Sequence, residues 1–132
     1  MKITVSVVED NELYQQALVD VICSKEPFLF HSVHGSAEDA MALLQDPPEI
    51  AIIDINLPGK SGIELIATLR EKTFTQCLVC SMYEDDDHIV QALENGAVGY
   101  LLKDASVQDI SNALDELVKG GAPMSPYIAS RV

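Results

Sequence analysis

Ile50-Ala51-Ile52-Ile53-Asp54-Ile55-Asn56-Leu57-Pro58-Gly59 is the stretch on which the fold turns. The run from Ile50 to Ile53 has no polar face. That predicts a strand covered by helices on both sides, as a central parallel strand is. The strand ends on a carboxylate, Asp54, and passes into a Leu57-Pro58-Gly59-Lys60 loop. The same plan, a short apolar strand and then an amphipathic helix, repeats outward in both directions.

Upstream, Ile3 to Val8 reads as the first strand. The first helix runs from about Asn11, its cap, to Cys23, with Leu13, Ala17, Leu18, Val21 and Ile22 at helical spacing. A second strand is expected over about Phe28 to Val33. A second helix follows Ser36, carries Ala37, Ala40, Met41 and Leu44, and is closed by Pro47-Pro48. Downstream, Ser61-Gly62-Ile63-Glu64 reads as a capping box opening the third helix. The fourth strand is placed at about Leu78 to Met82, and its helix between Asp85 and Gly96. The fifth strand is Gly99 to Leu102. Its helix starts after Ser106 and runs to about Lys119, where Gly120-Gly121 stops it. Strict alternation predicts an α/β domain with a parallel sheet and right-handed crossovers.

The chain has 132 residues, close to the usual size of one domain. No apolar run approaches the ~20 residues that span a bilayer. The N-terminus enters strand-like sequence directly, without the pattern of a signal peptide. These features predict a cytoplasmic protein that does not enter a membrane. The formal net charge is -13, from 8 Lys+Arg against 21 Asp+Glu. DNA phosphates would repel such a surface, so any DNA binding belongs to a separate basic domain.

In open parallel sheets ligands sit beyond the carboxyl ends of the strands. The residues there are Glu9-Asp10 after the first strand, Asp54 after the third, Ser81 after the fourth and Lys103 after the fifth. Crowded carboxylates raise one another's pKa, and a divalent cation relieves them. An all-oxygen donor set suits Mg²⁺, or Mn²⁺, which keeps several waters and joins carboxylates to a phosphate. Lys103 brings a mobile positive charge and Ser81 a hydroxyl, both suited to oxygens of a transferring phosphoryl group. A carboxylate can act as nucleophile and give an aspartyl-phosphate.

With these residues in view, the chain resembles the receiver domain of two-component response regulators, of the LuxR/NarL-like subgroup. The resemblance rests on Val7-Val8-Glu9-Asp10, Ile52 to Gly59, Gly62, Ser81 and Gly96 to Asp104, and covers about residues 3 to 119. It implies a flavodoxin-like, doubly wound, five-stranded sheet of order 2-1-3-4-5. It implies that Glu9, Asp10 and Asp54 hold the metal with the backbone carbonyl of Asn56, and that Asp54 accepts the phosphoryl group. Ser81 and Lys103 would bind phosphoryl oxygens, and Tyr100 matches the family's switch aromatic. The donor would be a sensor histidine kinase. The protein would be a phosphoacceptor rather than an enzyme, with slow loss of its own phosphate. The readout face would be the fourth helix with the fifth strand and helix, or a homodimer face on the first and fifth helices.

Residues 1–120 are expected to be the receiver. Residues 121–132 resemble the start of the linker toward a helix-turn-helix DNA-binding domain, which would lie beyond Val132. A stand-alone receiver acting through protein contacts is the alternative. Asp104 stands where many members have Pro after the lysine, often with a cis bond; before a non-proline that bond costs roughly 3 kcal/mol. Met82 follows Ser81 where a smaller residue is common, and it narrows the approach to Asp54.

A metal-dependent phosphohydrolase of the haloacid dehalogenase type is a rival. It needs a second Asp two residues after the nucleophile, and here that position is Asn56. A flavin module is another rival, but Glu9-Asp10 would repel its phosphate. Cys77-Leu78-Val79-Cys80 matches C-x-x-C, yet residues three apart on a strand point to opposite faces. Small buried hydrophobes are the simpler reading. His31, His34 and His88 read as ordinary histidines, and Glu84 to Asp87 as a solvated acidic run at a helix N-terminus.

Overall fold

The structure, a computed structural model, describes residues 2–132. Five parallel strands are β1 (Ile3–Val8), β2 (Phe28–His34), β3 (Ile50–Ile53), β4 (Gln76–Ser81) and β5 (Ala97–Leu102). They lie in the order β2-β1-β3-β4-β5. This is the doubly wound flavodoxin-like sheet. The α-helices are α1 (Glu12–Cys23), α2 (Gly62–Lys72), α3 (Asp86–Glu94), α4 (Val107–Val118) and α5 (Pro126–Arg131), and a 3₁₀ helix spans Asp39–Leu44.

The strands split their side chains between two cores with period two. Val5, Val7, Ile50, Ile52, Leu78 and Cys80 pack with α1 and α4. Ala51, Ile53, Cys77, Val79, Tyr100 and Leu102 pack with α2, α3 and the 3₁₀ segment. Cys77 and Cys80 therefore sit in opposite cores, and burial pushes their thiols up to about 12 and about 11. Both stay protonated at neutral pH.

The helix starts follow their caps. Asn11 accepts from the Tyr14 N–H, Asp85 from the His88 N–H, and Ser106 closes a capping box with Asp109. Ser61 caps α2 by accepting from the Ile63 N–H at 3.0 Å, and Glu64 does not complete the expected box.

Two expectations need correction. The second helical segment is 3₁₀, because its buried residues Ala40 and Leu43, with Ala37 just ahead of it, recur every third position. The buried stripe of α1 is Leu18, Val21 and Ile22, joined by the half-buried Tyr14, not one led by Leu13 and Ala17. Leu13 is 86% exposed, since a face centred on Leu18 and Ile22 continues backward through position 14.

Residues 121–132, expected as the start of a linker, contain α5 and contact the sheet. Tyr100 N–H donates to the Pro123 carbonyl at 2.9 Å, and Ser125 N–H to the Tyr100 carbonyl at 3.1 Å. Leu102 N–H donates to Ser125 Oγ at 2.9 Å. This close approach requires Gly99, where a Cβ would lie 2.5 Å from the Pro123 carbonyl oxygen. Ile128 is fully buried in the α2–α3 core. Ile128→Ala is expected to cost about 2–5 kcal/mol, the usual range for emptying such a site. Amide exchange at Tyr100 and Leu102 should accelerate with it. Unchanged protection there would mean that the tail is not held by its isoleucine.

Candidate functional site

The carboxyl ends of β1, β3, β4 and β5 are joined by backbone bonds. Asp54 N–H donates to the Val8 carbonyl, and Lys103 N–H to the Ser81 carbonyl, both at 2.9 Å. This fixes Glu9, Asp10, Asp54 and Lys103 on one rim. A cavity of about 290 Å³ opens there, with Glu9, Asp10, Asp54, Asn56, Met82 and Lys103 on its walls. Carboxylate oxygens of Glu9, Asp10 and Asp54 lie within 4.8 Å of one another. Glu9 and Asp54 are buried, and Asp10 is exposed.

The Lys103 ammonium lies 2.6 Å from Glu9 Oε1 and 2.9 Å from Asp54 Oδ2. Asp54 Oδ1 accepts the Asn56 N–H at 3.1 Å, and Glu9 Oε2 accepts the Asn11 N–H at 2.9 Å. Gln15 donates its side-chain amide to the Glu9 carbonyl. Burial raises the Glu9 carboxyl above its ordinary pKa, and the charge of Asp54 adds to this against the pull of Lys103 and Asn11. Burial alone would lower the Lys103 ammonium, but its bonds to Glu9 and Asp54 outweigh that and hold it above the ordinary lysine value.

The donor set fits a hard divalent cation. Three carboxylates face a single ammonium at this rim, which leaves two negative charges together. Glu9 Oε1 is buried and has no hydrogen bond of regular geometry, its near neighbour being the ammonium. Oxygen donors without nitrogen or sulfur favour Mg²⁺ or Mn²⁺ over softer metals. Mg²⁺ is commonly held by one or two carboxylates together with phosphate oxygens, and the Glu9, Asp10 and Asp54 carboxylates offer such donors.

Ser81 is fully buried and does not line the cavity; its Oγ accepts the Tyr83 N–H at 3.1 Å. The Tyr100 ring is also fully buried, and its hydroxyl donates to the Tyr83 carbonyl at 2.7 Å. Burial, opposed by a bond with Ser81, pushes that phenol up to about 12. Ser81, Tyr83 and Tyr100 thus form one chain of contacts leading from the rim to the β5 edge. Met82, expected to narrow the approach, is 79% exposed at the cavity mouth. The peptide before Asp104 is trans.

The His31 and His34 side chains form a polar network with Ser6, Ser32, Asp46 and Asp39, and the His34 carbonyl accepts the Glu9 N–H at 2.9 Å. His88 bonds Asp85 and stacks on Tyr83 with ring centroids 4.0 Å apart. Sequence reasoning missed Tyr14. Its ring lies under the Lys103 ammonium, 4.8 Å from nitrogen to centroid. Its place four residues before Leu18 and seven before Val21 was the available signal.

A doubly wound parallel sheet with this acid-lined rim, a strand-end lysine and a buried hydroxyl defines a receiver-type signalling domain. The chain belongs to the response regulator receiver domain family, whose model matches residues 5–115. It is 29% identical over 132 residues to the transcriptional regulatory protein YdfI of Bacillus subtilis, covering 97% of this chain and 61% of that protein. It is 27% identical over 124 residues to the nitrate/nitrite response regulator protein NarL of Escherichia coli, covering 92% of this chain and 57% of that protein. The signal receiver domain of the response regulator NarL from Mycobacterium tuberculosis superposes with a TM-score of 0.84 at 27% identity, over 90% of this chain and 98% of that one. The chain spans roughly three-fifths of the length of these curated relatives. Among the described residues, no helix is long and apolar enough to cross a membrane.

Proposed function

We propose that Asp54 accepts a phosphoryl group from a phosphohistidine of a sensor kinase. A carboxylate oxygen of Asp54 forms the new O–P bond as the N–P bond of the donor breaks, and the released imidazole takes up a proton. Glu9, Asp10 and Asp54, with the Asn56 carbonyl, would hold Mg²⁺ or Mn²⁺. Such an ion supplies charge neutralisation for the carboxylates and phosphoryl oxygens. Lys103 orients the Asp54 carboxylate and then pairs with a phosphoryl oxygen. Ser81 turns its hydroxyl from the Tyr83 amide toward the phosphate, and Tyr100 follows through its bond to Tyr83.

The observation that carries this reading is the meeting of three carboxylates within 4.8 Å, with Lys103 bridging two of them. The chain's role is signalling, with slow loss of its own phosphate and no turnover of free substrates. In the parent protein, residues 1–120 form the receiver, and 121–132, packed on it through Ile128, lead toward a helix-turn-helix domain that binds DNA in the cytoplasm. The naming of relatives as transcriptional regulators supports this, as does the net charge of -13, which assigns DNA contact elsewhere. A homodimer would place two such domains on one site.

The test is incubation with acetyl phosphate and MgCl₂, followed by intact-mass measurement and borohydride trapping. One phosphoryl group, stable in acid and labile in base, is expected on Asp54, and EDTA should prevent it. A label elsewhere, or none with metal present, would sink the proposal.

A further inference from the structure

Lysine at position 103 has a long, flexible stem, yet its ammonium must stay between two carboxylates on different strands. It is held from a third side by the Tyr14 ring, at 4.8 Å from nitrogen to centroid. The ammonium is largely withdrawn from water, its side chain being 18% exposed, which strengthens a cation–π contact. The residue is anchored at its backbone and at its hydroxyl. Tyr14 N–H donates to the Asn11 cap at 2.9 Å, and the Tyr14 hydroxyl lies 3.0 Å from the Cys80 sulfur in the core. Cys80 is the residue before Ser81, so the anchor belongs to the same strand end as the buried hydroxyl.

We propose that Tyr14 is a positioning residue for phosphoryl transfer, its ring face setting where the Lys103 ammonium stands relative to Asp54 and Glu9. This rests on the reading of Asp54 as phosphoacceptor. The ring confines the ammonium to the Glu9–Asp54 side of its reach. Without it, the lysine could swing to solvent or settle on one acid alone. The hydroxyl acts at a distance, by keeping the ring from tilting.

The test compares wild type, Tyr14→Phe, Tyr14→Met and Tyr14→Leu. Labelling by acetyl phosphate at saturating Mg²⁺, thermal melting, and the NMR shift of the Lys103 ε-methylene protons are measured on each. Leu and Met remove the ring while keeping apolar bulk, and should slow labelling about three- to tenfold at nearly unchanged melting temperature. The ε-methylene protons should lose the upfield shift that a ring face imposes. Phe, which keeps the ring, should recover most of the rate and the shift. Wild-type labelling rates in both Leu and Met would overturn the proposal. So would an ordinary ε-methylene shift in the wild type, or a Phe variant as slow as Leu. The ε-methylene shift is read without phosphate, so it tests the ring contact even if wild type fails to label. That failure would reject the phosphoacceptor reading instead.

Discussion

Asp54→Asn should abolish the base-labile phosphoryl adduct while leaving the fold in place. The substitution keeps shape and removes charge and nucleophilicity together. Asn can still accept the Asn56 N–H, the bond that Asp54 Oδ1 makes at 3.1 Å. Lys103 retains Glu9, 2.6 Å away, so no buried cation is orphaned. Loss of one buried anion also relieves the repulsion that helps raise the Glu9 carboxyl. Melting should therefore change little. Mg²⁺ affinity should fall, on the order of tenfold or more, because one of three anionic donors is gone. Mass spectrometry of the variant after acetyl phosphate treatment and titration with Mn²⁺ followed by relaxation enhancement read the two effects separately. Full labelling of the variant would reject Asp54 as the acceptor.

Gly62→Ala should produce the largest structural loss of any single methyl addition near the site. A Cβ at residue 62 would stand 2.2 Å from the Asp54 carbonyl oxygen and 2.9 Å from the Ile55 Cα. Both neighbours are backbone, so no rotamer change can clear the contact. Gly62 N–H also donates to the Ile55 carbonyl at 3.0 Å, which holds the first residue of α2 against the loop that carries Asp54. Either α2 retreats or residues 54–55 move. Overpacking of this kind costs about 3 kcal/mol, or roughly 10 °C in melting temperature for a domain of this size. Labelling should drop as well, because the displaced peptide is that of the acceptor itself. Calorimetry with a labelling assay on the folded fraction checks both. A variant that melts and labels like wild type would show that the α2 start is looser than its geometry.

Much of the rim was legible before any coordinates. Parallel strands are apolar on both faces, so the first charged residue after each run marks a strand end, and Glu9, Asp54 and Lys103 stand out for that reason. Caps at Asn11, Asp85 and Ser106 were readable because a short polar side chain precedes each periodic run. The 3₁₀ segment was not, since Ala37, Ala40, Met41, Leu43 and Leu44 satisfy periods of 3.0 and 3.6 alike over so short a stretch. The inward face of α1 was misjudged by one residue at its start, where Leu13 outranks Tyr14 in hydrophobicity but points to water. α5 had a start signal, Pro126 at its first turn, but the burial that holds it depends on residues over twenty positions away. The Tyr83–Tyr100 contact likewise joins distant segments, and no local pattern announces it.

A parallel sheet has two margins, and each leaves a row of backbone groups open to strand addition. On the β5 side, Pro123 and Ser125 engage the Tyr100 and Leu102 amides, and Ser125 also donates to the Tyr100 carbonyl. On the β2 side, the pairing register slips between Val5 and Ser6, which puts His31 out of step and breaks the regular spacing a docking strand would need. Self-association by edge-to-edge growth is thereby discouraged at both margins, and partners must approach this domain through side chains instead of a shared ladder.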